Sequence, residues 1–158
     1  MEKELHRLHD ICARRNNASS ACLINAYQGS LSANNAICSA IMSFGRVHGP
    51  IGATVEVLEG GLLHAQTIQT MGKKVPGWGC GFEEDEGFYS VMRSRIPNKI
   101  IKIIDRISGT LPVRPNIACY TAAYAVAKGI PTELADHLVI KFRLKTWMDI
   151  LAKQFDLY

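Results

Sequence analysis

The sequence predicts an all-α protein, and three observations lead to that prediction. Apolar residues recur every three or four positions along nearly every segment, which is the period of an amphipathic helix. Gly and Pro residues fall between these periodic segments, where they typically end one helix or begin the next. The chain has 158 residues and is 47% hydrophobic, which suits the core of one domain. We therefore expect a single domain over residues 1–158, without internal repeats or linkers.

Four helices are predicted in the first half of the chain. The first carries Leu5, Leu8 and Cys12 on one face. Gly60 and Gly61 lie inside the fourth, where glycine can kink a helix. The other three helices are expected over residues 18–26, from Ser32 onward, and over residues 51–71.

A glycine-rich loop, residues 72–81, separates these helices from those of the second half. Asn98 is a candidate N-cap, and Gly129 should end a helix because glycine readily adopts the left-handed conformation found there. Pro131 suits the first turn of a last helix. The expected helices cover residues 84–95, a segment capped by Asn98, residues 116–128, and residues 131–153.

Composition argues against several classes of protein. The net charge of +4 is too small and too scattered to indicate a nucleic-acid partner. No stretch of about 18 apolar residues is present, so no membrane span or membrane partner is expected. The start of the chain lacks the apolar run of a signal peptide. Five cysteines without paired spacing indicate a reducing, cytoplasmic location, and no Cys/His group suggests a metal site.

Two positions are candidates for chemistry because helix packing alone does not explain them. His48 lies in a Gly/Pro turn between two helices, where a neutral histidine can exchange a proton near pH 7. The alternative is a capping or surface histidine. Arg143 lies in an apolar helix and needs a partner there, either a carboxylate ligand or an internal salt bridge.

The loop from Lys73 to Gly81 is a candidate anion site. Its glycines expose backbone N–H groups and its lysines attract phosphates. Trp78 offers a flat face for a base, or else lies buried in the core. The alternative to a binding loop is a flexible connector, and the acidic run at residues 83–86 would repel phosphates.

Several short blocks resemble the C-terminal part of the citrate synthase and citryl-CoA lyase family. Each block is weak alone, but they occur in the family's order over nearly the whole chain. The resemblance implies a shortened form of that helical fold, without the family's N-terminal region. The blocks are Asn17-Ala-Ser-Ser, the turn 45–53, the loop 73–80, Pro115-Asn-Ile-Ala-Cys-Tyr-Thr, Gly129-Ile-Pro-Thr-Glu-Leu, Arg143 and Trp147.

The resemblance also assigns roles to individual residues. His48 corresponds to the histidine that stabilises the enol, and Arg143 corresponds to a carboxylate-binding arginine. Cys80 and Arg14 stand where the family has histidines, and Ala118 stands where it has the aspartate base. The residues implied for binding CoA or acyl-CoA are Lys74, Val75, Gly77, Trp78 and Gly79.

These departures predict a degenerate citrate-synthase-like protein. Loss of a general base typically costs about 10²–10⁴-fold in rate. We expect a chain that is inactive or weak in that reaction and retained for ligand binding, regulation or assembly, with no required cofactor. One alternative is an active enzyme that forms or cleaves carbon–carbon bonds in acyl-CoA substrates, using His48 and Cys80. Another is a purely structural protein.

The third predicted helix is rich in Ala and Ser, which allow close approach of helix backbones. The resemblance implies a homodimer packed through helices near Ser32–Ser43 and Ile51–Leu63. An ordinary contact within one chain explains the small residues equally well.

Overall fold

The computed structural model describes residues 1–15, 18–44, 50–79 and 86–156, and helices hold 77% of these residues. Within the described ranges there is no β-strand, and one isolated antiparallel bridge joins Trp78 to Pro115. The all-α prediction is therefore confirmed. None of the described helices is long and apolar enough to cross a membrane.

The helices of the described segments follow the predicted order. α2 packs on α3, α4 on α7 and α1 on α9, so that the three pairs enclose one core. Their bounds are α1 Glu2–Arg14, α2 Ala18–Ser30, α3 Ala33–Met42, α4 Ile51–Thr70, α5 Glu86–Ser94, α6 Asn98–Ser108, α7 Ile117–Lys128, α8 Thr132–Ala135 and α9 His137–Phe155.

Local capping explains where several helices begin and end. The Ser32 side chain accepts a hydrogen bond from the backbone N–H of Asn35 at the start of α3. Asn116 does the same for α7, accepting from Ala118 N. Gly129 ends α7 in the left-handed conformation. Each of these residues acts on its sequence neighbours, and Ser32 and Gly129 were predicted as helix boundaries on that basis, whereas Asn116 was expected inside the helix that it caps.

One predicted helix start was wrong, and one predicted helix is divided in two. α6 begins at Asn98 itself, because Pro97 already holds the extended conformation of an N-cap, and no side chain caps this end. The single helix expected from Pro131 is two, α8 and α9, separated at Asp136. The Asp136 carboxylate accepts the backbone N–H of Gly52 at 2.8 Å, so it caps α4, whose own N-cap, Pro50, makes no side-chain hydrogen bond.

The small residues of α3 are explained within one chain. Ala36 and Ala40 are completely buried in a single copy, where α3 packs against α2 and α9. The intrachain interpretation therefore accounts for this face of α3, and a dimer contact would have to use its outer face.

Gly77 is required by close packing between the glycine loop and α4. Its φ is +88°, and an added Cβ would lie 2.3 Å from Cγ2 of the buried Thr54 and 3.4 Å from Cα of Cys119. Glycine at this position therefore allows the loop to pack closely against α4 and α7, and it is not needed to make room for a ligand.

We predict that Gly77→Ala lowers the free energy of unfolding by about 2–4 kcal/mol, since it combines a left-handed φ with overpacking. Gly129→Ala is the matched control, because φ is +64° there but no atom lies within 4 Å of the added Cβ. Gly129→Ala should lower the free energy of unfolding by about 1 kcal/mol. Urea denaturation of the two variants measures the difference, and equal losses would show that the Thr54 contact is unimportant.

Candidate functional site

A cleft of about 550 Å³ lies where the end of α4, the glycine loop and the 111–113 turn meet. It brings together four of the five residues predicted to bind a cofactor, all except Gly77. Its lining combines apolar residues with two exposed lysines, a combination that suits a ligand with both apolar and anionic parts. The lining residues are Gln69, Lys73, Lys74, Val75, Trp78, Gly79, Leu111 and Val113.

Hydrogen bonds fix the floor of this cleft to the segment that begins α7. The backbone N–H of Gly79 donates to the Arg114 carbonyl at 2.9 Å. The N–H of Asn116 donates to the Gly77 carbonyl, and its side-chain amide donates to the Gly79 carbonyl at 2.8 Å. The same side chain caps α7, so the floor of the cleft and the start of α7 form one unit.

Two expectations about this loop need correction. The loop was expected to expose backbone N–H groups, but those of Trp78 and Gly79 donate to the carbonyls of Val75 and Arg114. The flat face of Trp78 was a candidate platform for a base, but the residue is only 5% exposed and its indole N–H donates to Ser108 Oγ at 2.9 Å. The alternative of a buried tryptophan is the correct one.

Positive charge at the cleft therefore comes from side chains. Lys73 and Lys74 are exposed at its rim, and no acidic residue is among the described residues that line it. Exposed charges attract an anion only weakly and are screened by salt.

Arg143 lies in the core, where it connects three helices. It is 3% exposed; its Nε donates to Nδ1 of His9 at 3.0 Å, and an Nη donates to Oγ of Ser19 at 3.0 Å. Its guanidinium also stands over the ring of Phe44, 5.1 Å from the centroid. His9, Ser19 and Phe44 are neutral, so none of the three is the carboxylate or the salt-bridge partner that was expected for Arg143. The carboxylate-binding role stays a prediction.

His9 is the buried polar residue that the sequence interpretation missed. Its Nε2 lies 2.9 Å from Thr121 Oγ1, which itself donates to the Ile117 carbonyl. Arginine can only donate, so Nδ1 of His9 accepts and Nε2 carries the hydrogen. His9 follows Leu5 by four positions and shares the apolar face of α1, and that spacing alone would have placed it in the core.

Burial lowers the pKa of His9 well below its ordinary value of 6.5, and the adjacent Arg143 charge lowers it further. Both ring nitrogens are already hydrogen-bonded within the protein. His9 is therefore a neutral structural histidine, unsuited to exchanging protons with a ligand.

Two of the positions that the resemblance aligns with catalytic residues, Ala118 and Arg14, lie in the described structure. Ala118 is buried at the start of α7, and burial raises the pKa of the neighbouring Cys119 thiol. Arg14 lines a second cavity of about 510 Å³ between α1, α2 and α9. Its guanidinium is paired with Asp10 at 3.0 Å and with Asp149 at 3.5 Å, so its charge is already balanced.

The two predicted catalytic residues, His48 and Cys80, lie outside the described residues. Phe44 is described, and its ring lies 6.2 Å from that of Trp147 and beside Arg143. In the described ranges, no three His, Cys, Asp or Glu side chains are grouped so that they could hold a metal ion.

We predict that stability falls as the pH is lowered from 8 to 5, because His9 is neutral in the fold but takes up a proton below pH 6.5 when unfolded. The loss should approach about 2 kcal/mol at pH 5. Urea denaturation across this range measures it. His9→Gln should flatten the profile, whereas His6→Gln, an exposed position on the same helix, should keep it. An unchanged slope in His9→Gln would contradict the assignment.

Comparison of the chain with protein-family models, with curated proteins and with solved structures found no match. Function must therefore be inferred from the chain's own residues. Two features are available for that inference: an open cleft with a lysine rim, and a buried polar network whose described contacts are all structural.

Proposed function

We propose that this chain binds a CoA-like phosphorylated nucleotide in the cleft and does not catalyse the citrate synthase reaction. The observation that carries the proposal is the cleft itself, because it gathers Lys74, Val75, Trp78 and Gly79 in one lining with the apolar Leu111 and Val113. Its volume of about 550 Å³ falls within the usual range for small-molecule sites.

The ligand class follows from the two parts of the lining. Lys73 and Lys74 favour phosphates, while Leu111, the exposed Val113 and the buried Val75 form an apolar part of the lining that favours an apolar portion of the ligand. The resemblance to citrate synthase makes CoA or acyl-CoA the natural candidate. With the N–H groups of Trp78 and Gly79 already bonded, we expect weak binding that depends on the lysine side chains.

The absence of catalysis is supported by the groups near the proposed site. None of the described lining residues is a His, Cys, Asp or Glu. Ala118, where the resemblance expects the base, cannot remove a proton. The proposed role is therefore that of a binding or regulatory protein derived from an enzyme fold.

We predict that CoA binds in calorimetry at low salt and that acetyl-CoA with oxaloacetate releases no thiol above background. The double variant Lys73→Gln/Lys74→Gln should weaken CoA binding about fivefold, since two exposed charges that contribute about 0.5 kcal/mol each amount to about 1 kcal/mol. Lys99→Gln/Lys102→Gln is the control, because it removes the same charge from exposed positions on α6 that are not in the cleft lining.

Each other outcome identifies a different function. If millimolar CoA gives no heat and does not change the melting temperature, the result would support a purely structural protein. Thiol release that disappears in His48→Ala would instead establish the altered enzyme that uses His48 and Cys80.

The proposed assembly is a homodimer through the outer faces of α3 and of the part of α4 before Gly61. Leu31 and Met42, at the two ends of α3, are among the most exposed large apolar residues, at 78% and 83%, and a dimer would cover them. We predict a mass near twice 17.4 kDa by light scattering at micromolar concentration. Met42→Lys should shift it toward the monomer, whereas Leu134→Lys, also exposed, should not. A wild-type mass of one chain would contradict the proposal.

A further inference from the structure

Helix α4 is interrupted at Gly61. This residue has φ +64° and ψ −154°, a combination that side-chain-bearing residues essentially do not adopt. The neighbouring Gly60 has the side chain of His64 folded against it, so that an added Cβ would lie 2.6 Å from the His64 Cβ. The kink therefore depends on two adjacent glycines.

The two parts of α4 are held very differently. The part before the kink places six residues in the core: Ile51, Gly52, Thr54, Val55, Val57 and Leu58. The part after it, Leu62–Thr70, buries Ala65 fully, with Leu62 and Ile68 partly buried. A single buried methyl group and two partial contacts resist displacement much less than six buried residues do.

The weakly held part of α4 forms one wall of the cleft. Gln69 lines the cleft, and the chain continues directly to Lys73, whose N–H donates to the Ile68 carbonyl. The side of the cleft opposite residues 62–70 is held in place, because Trp78 and Gly79 are hydrogen-bonded to Ser108 and Arg114.

We propose that residues 62–70 form a lid hinged at Gly61, which closes over the cleft and carries Gln69 and Lys73 toward a bound anion. This inference rests on the proposed binding function for its ligand, but the hinge itself is a property of the free protein. We expect α6 and the first part of α4 to stay together, because both bury apolar residues in the same core, while the lid moves relative to them.

Distances between spin labels test the hinge without a ligand. Labels introduced as noncanonical residues at Thr67 and Lys99, both exposed, report on the lid. Labels at Glu56 and Lys99 form the reference pair, because Glu56 lies before the kink. The lid pair should show the broader distance distribution in the free protein, and CoA should narrow and shift it. Equal widths for the two pairs in the free protein would overturn the hinge, whatever CoA does.

Gly61→Ala is a clean variant because its Cβ would meet no atom within 4 Å, so the change acts on the backbone alone. Alanine favours regular helix, so the variant should straighten α4, shift the lid pair and weaken CoA binding about fivefold, for a strain near 1 kcal/mol. Gly129→Ala has the same φ of +64° and the same empty surroundings, and it should change neither the lid-pair distance nor the affinity for CoA. An unchanged lid pair in Gly61→Ala would also overturn the hinge.

The hinge and the binding function fail in distinguishable ways. If CoA gives no heat while the lid pair is broad and moves in Gly61→Ala, the binding function is wrong and the hinge stands. If CoA gives heat while the lid pair is as narrow as the reference pair and does not respond, the binding function stands and the hinge is wrong.

Discussion

The burial of the Arg143 guanidinium is the constraint on which the rest of the structure depends. Arginine stays charged at any ordinary pH, so its burial requires well-placed acceptors. His9 on α1 and Ser19 on α2 supply them, and His9 is held in turn by Thr121 on α7. One cation on α9 thereby fixes the relative positions of four helices. The start of α7 is hydrogen-bonded to the floor of the cleft, so the network that holds α7 in place also holds the floor of the candidate site.

The same constraint determines the protonation state of His9, the most deeply buried histidine of the described residues. A strongly perturbed pKa in a protein often marks a functional group. In His9 the perturbation instead follows from burial beside a cation, and both nitrogens are occupied by the protein. Protonation would place two positive charges side by side in the core. The network therefore stabilises one neutral tautomer and contributes order to the helices without contributing a proton donor or acceptor to the cleft.

Sequence alone was sufficient for features that depend on neighbouring residues and insufficient for those that depend on distant ones. The start of α3 at Ser32 and the end of α7 at Gly129 depend on bonds to residues within four positions, and both boundaries were predicted. The cap that Asp136 provides to Gly52 spans 84 positions, and the bond between Arg143 and His9 spans 134. Periodicity carries no information about such pairs. The order of the helices was therefore predictable, whereas the α8–α9 break and the buried network were not.

The glycine loop shows why a plausible binding motif can have a different physical role. Its glycines permit close contact, but at Gly77 that contact is with Thr54 and α7, and the N–H groups of Trp78 and Gly79 are used within the fold. A rigid floor of this kind provides shape and apolar surface, but little specific attraction for phosphates. In the proposed binding mode, attraction must come from lysines on the wall that continues from the weakly held end of α4. In this binding mode, attraction between the lysines and the negative charge of the ligand stabilises the closed position of the wall. A ligand without negative charge would not stabilise it.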